Sequence, residues 1–397
     1  MPDYNKESLE LHRQLSGKIE IVNKTKVLNT DDLSKVYSPG VAEPCLEIER
    51  NPETVYDLTI KGNTVAVVSD GSAVLGLGNI GAHASIPVME GKCMLFKRFA
   101  GINAFPICLN TQDSDEIVKI IKNIAPVFGG INLEDIAAPR CFYIEKQLQD
   151  LGIPVFHDDQ HGTAIVVLAG LINASKLVNK DIADMKVVIN GAGAAGVAIT
   201  KLLRCIDLES SECVSVKQIL VCDSKGIISQ GRKDLSTEKK ELLQYTNLRN
   251  VTGKLEDALE NADVFIGVSK WTILSQGHIR SMARDPVIFA LANPTPEIFP
   301  KVALEAGAAI VATGRSDYPN QVNNVLAFPG IFRAALDVRA ERITPLMKIS
   351  AAYALAGTLK DPDFNHIITS SLDKDIAMQV ADAVRKAYKR GNIVTKN

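Results

Sequence analysis

The sequence predicts an α/β fold in two domains, an N-terminal α/β substrate domain and a C-terminal Rossmann-type doubly wound parallel sheet. At 397 residues the chain exceeds what one ordinary hydrophobic core organises. Short β-branched runs alternate with amphipathic helical stretches, the pattern of parallel sheets covered by helices. A glycine-rich turn, Gly191-Ala192-Gly193-Ala194-Ala195-Gly196, falls between an apolar strand and a helix, where a dinucleotide-binding unit begins.

Strands are expected at 64–69, 104–109, 129–133 and 153–156. Between them, apolar residues recur at helical spacing over 115–125 and 140–151. The largely apolar stretch 163–178 reads as a helix joining two domains. A second series opens with strand 186–190 and continues with strands at 218–222, 264–268, 287–290 and 309–312. From Phe332 onward only helical patterns remain, ending in a basic tail that reads as a solvated helix end. The expected boundaries are 1–160, 161–330 and 331–397, the last a set of helices packing back between the domains.

Composition excludes more than it identifies. A formal net charge of -2 leaves no basic footprint for nucleic acid. The longest apolar run, 164–172, is too short to cross a bilayer, and the polar residues Met1 to Glu7 do not resemble a signal peptide. The cysteines (Cys45, Cys93, Cys108, Cys141, Cys205, Cys213, Cys222) are scattered without a CxxC pair and read as reduced thiols. The expectation is a cytoplasmic protein with neither nucleic-acid nor membrane partners.

In the fingerprint at 191–196 the first glycine makes the turn, the second admits the pyrophosphate, and the third lets helix pack on strand. Gly191, Gly193, Ala194, Ala195 and Gly196 are therefore the expected cofactor-binding residues, with the helix N-terminus facing the phosphates. Asp223, at the end of the next strand, is placed to bind a ribose hydroxyl. Its carboxylate favours NAD over NADP by repelling a 2′-phosphate, although Lys225, Arg232 and Lys233 follow closely and offer a phosphate cage. A second match, Gly76-Leu77-Gly78-Asn79-Ile80-Gly81, lacks this context: an intervening turn separates it from its strand, and Lys97-Arg98 stand where an acid is needed. It reads as a close-packed loop and helix start shaping a substrate cleft.

Two further strands end in adjacent acids, Glu134-Asp135 and Asp158-Asp159, and strand C-termini are where open α/β sheets bind ligands. Hard oxygen donors without paired soft ligands suit Mg²⁺ or Mn²⁺; helix capping by Asp135 or Asp159 is the competing reading. His157 and His161 have the spacing of a zinc motif but lack its glutamate, so hydrogen bonding is their default role. Tyr37, in a polar turn, reads as a packing residue. Lys92 is flanked by apolar residues, which suggests a desolvated amine with a lowered pKa.

Together these motifs resemble the malic enzyme family. The resemblance rests on Tyr37-Ser38-Pro39-Gly40-Val41-Ala42, Gly76 to Gly81, Ile86 to Lys92, Glu134-Asp135, Asp158 to Ala164, Ala292-Asn293-Pro294-Thr295, Asn323-Asn324-Val325 and Phe328-Pro329-Gly330. It implies oxidative decarboxylation of malate to pyruvate with NAD(P)⁺ and a divalent metal, in a homodimer at least. It also implies that Glu134, Asp135 and Asp159 bind the metal with Asp158 beside it, that Lys92 is the general base, and that Tyr37 is the acid protonating C3 of the enol. Asn293 and Asn324 would face the substrate and the nicotinamide ribose. Long family members carry a carboxylate-gripping arginine where this chain has Ala73, which leaves Ser72 or a neighbouring subunit to hold the carboxylate. The competing readings are a 2-hydroxy-acid dehydrogenase that does not decarboxylate and a non-catalytic dinucleotide-sensing module.

Overall fold

The β-branched runs form two separate sheets in the computed structural model, which describes residues 4–208, 213–269, 272–373 and 375–394. The first sheet holds β1 (Thr64–Ser69), β2 (Asn103–Cys108), β3 (Gly130–Leu133) and β4 (Val155–His157) in the order β2-β1-β3-β4, all parallel. The second holds β5 (Lys186–Asn190), β6 (Gln218–Asp223), β7 (Gly226–Ile227), β8 (Val264–Gly267), β9 (Val287–Ala290) and β10 (Ile310–Thr313) in the order β10-β9-β8-β5-β6-β7. Only the two-residue β7 runs antiparallel. Strands β1, β3, β8, β9 and β10 are buried along their whole length, as parallel strands covered on both faces must be. In each sheet the first strand lies inside, so its carboxyl end borders the crevice where strand order reverses.

The helix Asp158–Leu177 joins the two sheets and begins five residues before the expected start. The proposed division at residue 160 therefore falls in its first turn. The helices Phe328–Asp337, Pro345–Thr358 and Ile376–Val394 account for the C-terminal helical pattern; they pack on the helices Gly81–Ala100 and Asp158–Leu177 and tie the two units together. Residues 395–397 of the basic tail and 1–3 of the N-terminus lie outside the described residues. No helix among the described residues is long and apolar enough to cross a membrane.

Two features depart from expectation. Cys205 and Cys213 form a disulfide with a Cα–Cα distance of 5.9 Å, which corrects the reading of all seven cysteines as reduced. The backbone is left-handed at Cys205 and Asp207, at the start of the segment the disulfide closes. The N-terminal helices Tyr4–Leu15, Thr30–Val36 and Ala42–Arg50 contain no buried residue, while Ile21 and Leu28 are 82% and 79% exposed. This N-terminal arm thus leaves apolar side chains exposed among its polar ones.

Candidate active site

The helix Gly81–Ala100 buries Met89, Lys92, Cys93 and Phe96, the i, i+3, i+4, i+7 face of an amphipathic helix, with a lysine among the apolar residues. Lys92 is 8% exposed, and its Nζ stands 2.6 Å from Asp158 Oδ2 and 2.9 Å from Glu134 Oε1. Beneath it the Phe328 ring centroid lies 4.4 Å from Nζ, and Phe328 packs edge-on against Phe96. Burial alone pulls the Lys92 pKa down, but the carboxylates of Asp158, Glu134 and Asp159 outweigh it and the net shift is upward. The expected lowering is thereby corrected: apolar neighbours in sequence were visible, and the acids brought over from two other strand ends were not.

Those acids form one cluster at the carboxyl ends of β3 and β4. Oxygens of Glu134, Asp135 and Asp159 all lie within 4.8 Å of one another. Neither Asp135 nor Asp159 caps a helix by its side chain: Pro139 precedes the helix Arg140–Gln147, and His157 is the cap residue of Asp158–Leu177. Instead Asp159 Oδ2 accepts the backbone N–H of Asp135 at 2.7 Å, holding Asp135 at a left-handed φ of 53°. Burial raises the pKa of Glu134, Asp158 and Asp159, with Lys92 opposing in each case. Grouped buried acids facing one ammonium fit a hard divalent cation, since hard cations take carboxylate oxygens.

The remaining positions divide into two groups. Asn324 stands beside the cluster: a Cβ on Gly162 would strike Asp158 Oδ1 and come within 3.1 Å of the Asn324 Cβ. Asn293 meets the first domain instead, because Gly76 packs against its carbonyl with no room for a side chain. The Gly76 to Gly81 segment is thus the close-packed loop expected, spanning the two domains. His161 hydrogen-bonds Glu145 at 2.8 Å, whereas both ring nitrogens of His157 are buried without a hydrogen-bond partner. Ser72 is committed elsewhere: its hydroxyl donates to Asp70 at 2.5 Å and accepts from Arg140 at 2.8 Å. Arg140, missed by sequence reasoning, brings a guanidinium to the loop of Ala73, held also by Asp70 at 2.8 Å. Tyr37 does not join the site; it is 67% exposed on the uncovered arm.

At the second sheet, Gly191 has a φ of +125°, which only glycine adopts readily, and a Cβ at Gly196 would collide with the Gly191 carbonyl. Gly193 faces open space, and Ala194 and Ala195 open the helix Ala194–Leu203. Gly191, Ala192 and Gly193 border a cleft of about 800 Å³ that Asp223 also lines. Glycine contacts of this kind leave a cradle for a pyrophosphate and fit a dinucleotide. Asp223 ends β6 as expected, but it is paired with Arg232 and Lys239.

Glu297, also missed, accepts the backbone N–H of Ala292, next to Asn293, at 3.0 Å. It is fully buried, which pushes its pKa up to about 7. The folded state thus binds a proton more tightly than the unfolded state, so this contribution to stability is intact below pH ~4.5 and lost as pH rises through ~7, a loss on the order of 3 kcal/mol. Glu297→Gln should remove it. A stability difference between variant and parent that stays constant from pH ~5 to ~8 in thermal melts would show that Glu297 carries no such penalty.

A glycine fingerprint at one switch point and a lysine–carboxylate cluster at the other are the parts expected of a dinucleotide-dependent dehydrogenase. Comparison with known proteins narrows the class. Residues 16–149 match the family model for the malic enzyme N-terminal domain, and residues 160–388 match that for the malic enzyme NAD-binding domain. The bifunctional malic/malolactic enzyme of Bacillus subtilis is 56% identical over 96% of this chain and 92% of its own. The NADP-dependent malic enzyme of Haemophilus influenzae is 48% identical over 98% of this chain, which spans 53% of that longer protein. The crystal structure of the NAD-dependent malic enzyme from Thermotoga maritima superposes with a TM-score of 0.90 at 50% identity, covering 95% of this chain and 98% of that one. The chain belongs to the malic enzyme family.

Proposed function

We propose that this chain oxidises malate and decarboxylates it to pyruvate and CO₂ with NAD(P)⁺ at the cluster around Lys92. The observation that carries the reading is Lys92 Nζ seated between Asp158 and Glu134 at the edge of the Glu134, Asp135 and Asp159 triad. A divalent cation held by that triad would supply Lewis-acid chemistry, and a dinucleotide at 191–196 would supply the electron acceptor.

The chain's own residues handle the protons. Lys92 must present a neutral amine to take the malate hydroxyl proton, and Asp158 Oδ2, 2.6 Å away with a raised pKa, is the group that receives the Lys92 proton first. Asn324 and Asn293 orient the substrate and the nicotinamide. A malate assay with Mn²⁺, following NAD(P)H absorbance and pyruvate together, tests the reaction. NAD(P)H without pyruvate would favour the plain dehydrogenase, and neither product would favour a sensing module.

Tyr37 acts in this reading as the acid that protonates the enol, from a second copy of the chain. The support is its exposure at the end of a helix, Thr30–Val36, that contains no buried residue, in a protein proposed to be a homodimer. Lys92→Ala and Tyr37→Phe subunits should each be inactive alone. Refolded as a mixture they should recover about a quarter of parental sites, because a two-fold heterodimer rebuilds one intact site of two. No recovery in mixtures shown to contain heterodimer would place Tyr37 on its own protomer's site.

A further inference from the structure

The helix Asp158–Leu177 carries Asp158 and Asp159 in its first turn, yet its own residues do little to start it there. The cap residue His157 makes no side-chain capping bond, and the turn 158–162 is polar and ends in glycine. Support comes from another helix. Glu145, on Arg140–Gln147, accepts the His157 backbone N–H at 3.3 Å, Gln160 Nε2 at 3.0 Å and His161 Nε2 at 2.8 Å. These donors flank the acid pair on both sides in the chain. Three of them on one carboxylate favour its charged form, and an anion beside a helix N-terminus is itself stabilising. A carboxylate only accepts, so the shared proton belongs to His161 Nε2.

Two helices thus clasp the turn. Lys92, from Gly81–Ala100, holds Asp158 Oδ2 at 2.6 Å, and Glu145 holds the residues on either side. The His161 ring also rests on Phe156, with centroids 5.4 Å apart. Asp159 rides on this turn, and its Oδ2 accepts the Asp135 backbone N–H at 2.7 Å. Two of the three clustered acids therefore owe their positions to it. Glu145 does not reach the cluster itself. With Gln160 and His161 it lines a separate cleft of about 630 Å³, to which neither Asp158 nor Asp159 contributes.

Building on the cation site proposed above, we infer that Glu145 is a positioning residue for the divalent metal. Through His157, Gln160 and His161 it fixes the turn that presents Asp159, and thereby Asp135, to the cation.

Mn²⁺ titration of the intact protein without malate, read by the electron paramagnetic resonance of free Mn²⁺, tests this beside an NAD⁺ titration. Loss of a partner that orients a metal ligand costs about 10- to 100-fold in metal affinity, and Glu145→Ala should weaken Mn²⁺ by that span. The Kd for NAD⁺ should not move, because the glycine cleft borders the other sheet. Glu145→Gln keeps the size of the side chain but only one accepting oxygen, so it should melt close to the parent and still bind Mn²⁺ about tenfold more weakly. Raising Mn²⁺ should recover turnover in Glu145→Gln, with the half-activating concentration displaced by the same factor as the Kd. Combined with His161→Gln, the loss should be smaller than the product of the two single effects, since both changes break one contact. Parental Mn²⁺ affinity in Glu145→Gln and Glu145→Ala, or an NAD⁺ affinity that falls in step with that for Mn²⁺, would overturn the inference. A parent protein that binds no Mn²⁺ would remove the cation site itself, and the inference with it.

Discussion

Lys92→Ala is expected to lower malate turnover by about 10²- to 10⁴-fold, the span for loss of a positioned proton-transfer group. Nucleotide affinity should stay nearly unchanged, because the glycine cleft borders the other sheet. The same change has a structural consequence. Without the ammonium, Glu134 and Asp158 face each other across a buried space, and removing one partner of a buried charge pair costs about 3–5 kcal/mol. Both acids would have folded-state pKa values raised further, so the loss should grow with rising pH and shrink as they protonate. Excess Mn²⁺ should restore part of the melting temperature by replacing the missing positive charge. Lys92→Arg separates the two effects: a guanidinium keeps the charge but stays protonated, so it should recover stability and not turnover. A Lys92→Ala enzyme turning over malate near the parental rate would end the assignment of the base.

Legibility in the sequence followed how local each cause was. Strands β1, β5 and β9 lie where their β-branched runs place them, because a buried parallel strand needs little beyond its own residues. The helix Asp158–Leu177 was read five residues late, since Asp158-Asp159-Gln160-His161-Gly162 is polar and contains a poor helix former. Gly162 belongs there for a tertiary reason, the space being taken by Asp158 and Asn324. The disulfide was unreadable for a related reason, as a separation of 8 positions between two cysteines does not announce that their Cα atoms lie 5.9 Å apart.

The acids of the candidate site were legible because each terminates its own strand. The state of Lys92 was not, because its partner Asp158 is 66 positions away and the ring beneath it comes from a C-terminal helix. Asp223 illustrates the limit from the other side. Its position at the end of β6 was readable, whereas its pairing depends on Lys239, which approaches from a separate helix, Thr237–Leu242. Arg140 and Glu297 carried no sequence signal beyond their type, since each matters only through the loop it holds.

Asp159 is the acid whose replacement should be most informative about the cation. It is the most open of the triad, with a side chain 31% exposed, and it also clasps the Asp135 backbone N–H. Asp159→Ala should therefore lose a ligand and release the left-handed turn at Asp135, weakening Mn²⁺ binding by at least about a hundredfold and abolishing malate turnover. Asp159→Asn retains an oxygen for the Asp135 N–H while discarding the charge, so it should melt close to the parent and still bind Mn²⁺ poorly. Direct Mn²⁺ titration gives a readout independent of catalysis. In the parent enzyme, EDTA should stop turnover and added Mn²⁺ should restore it. Full activity in EDTA, or parental Mn²⁺ affinity in Asp159→Asn, would mean that these buried carboxylates are assembled for Lys92 alone.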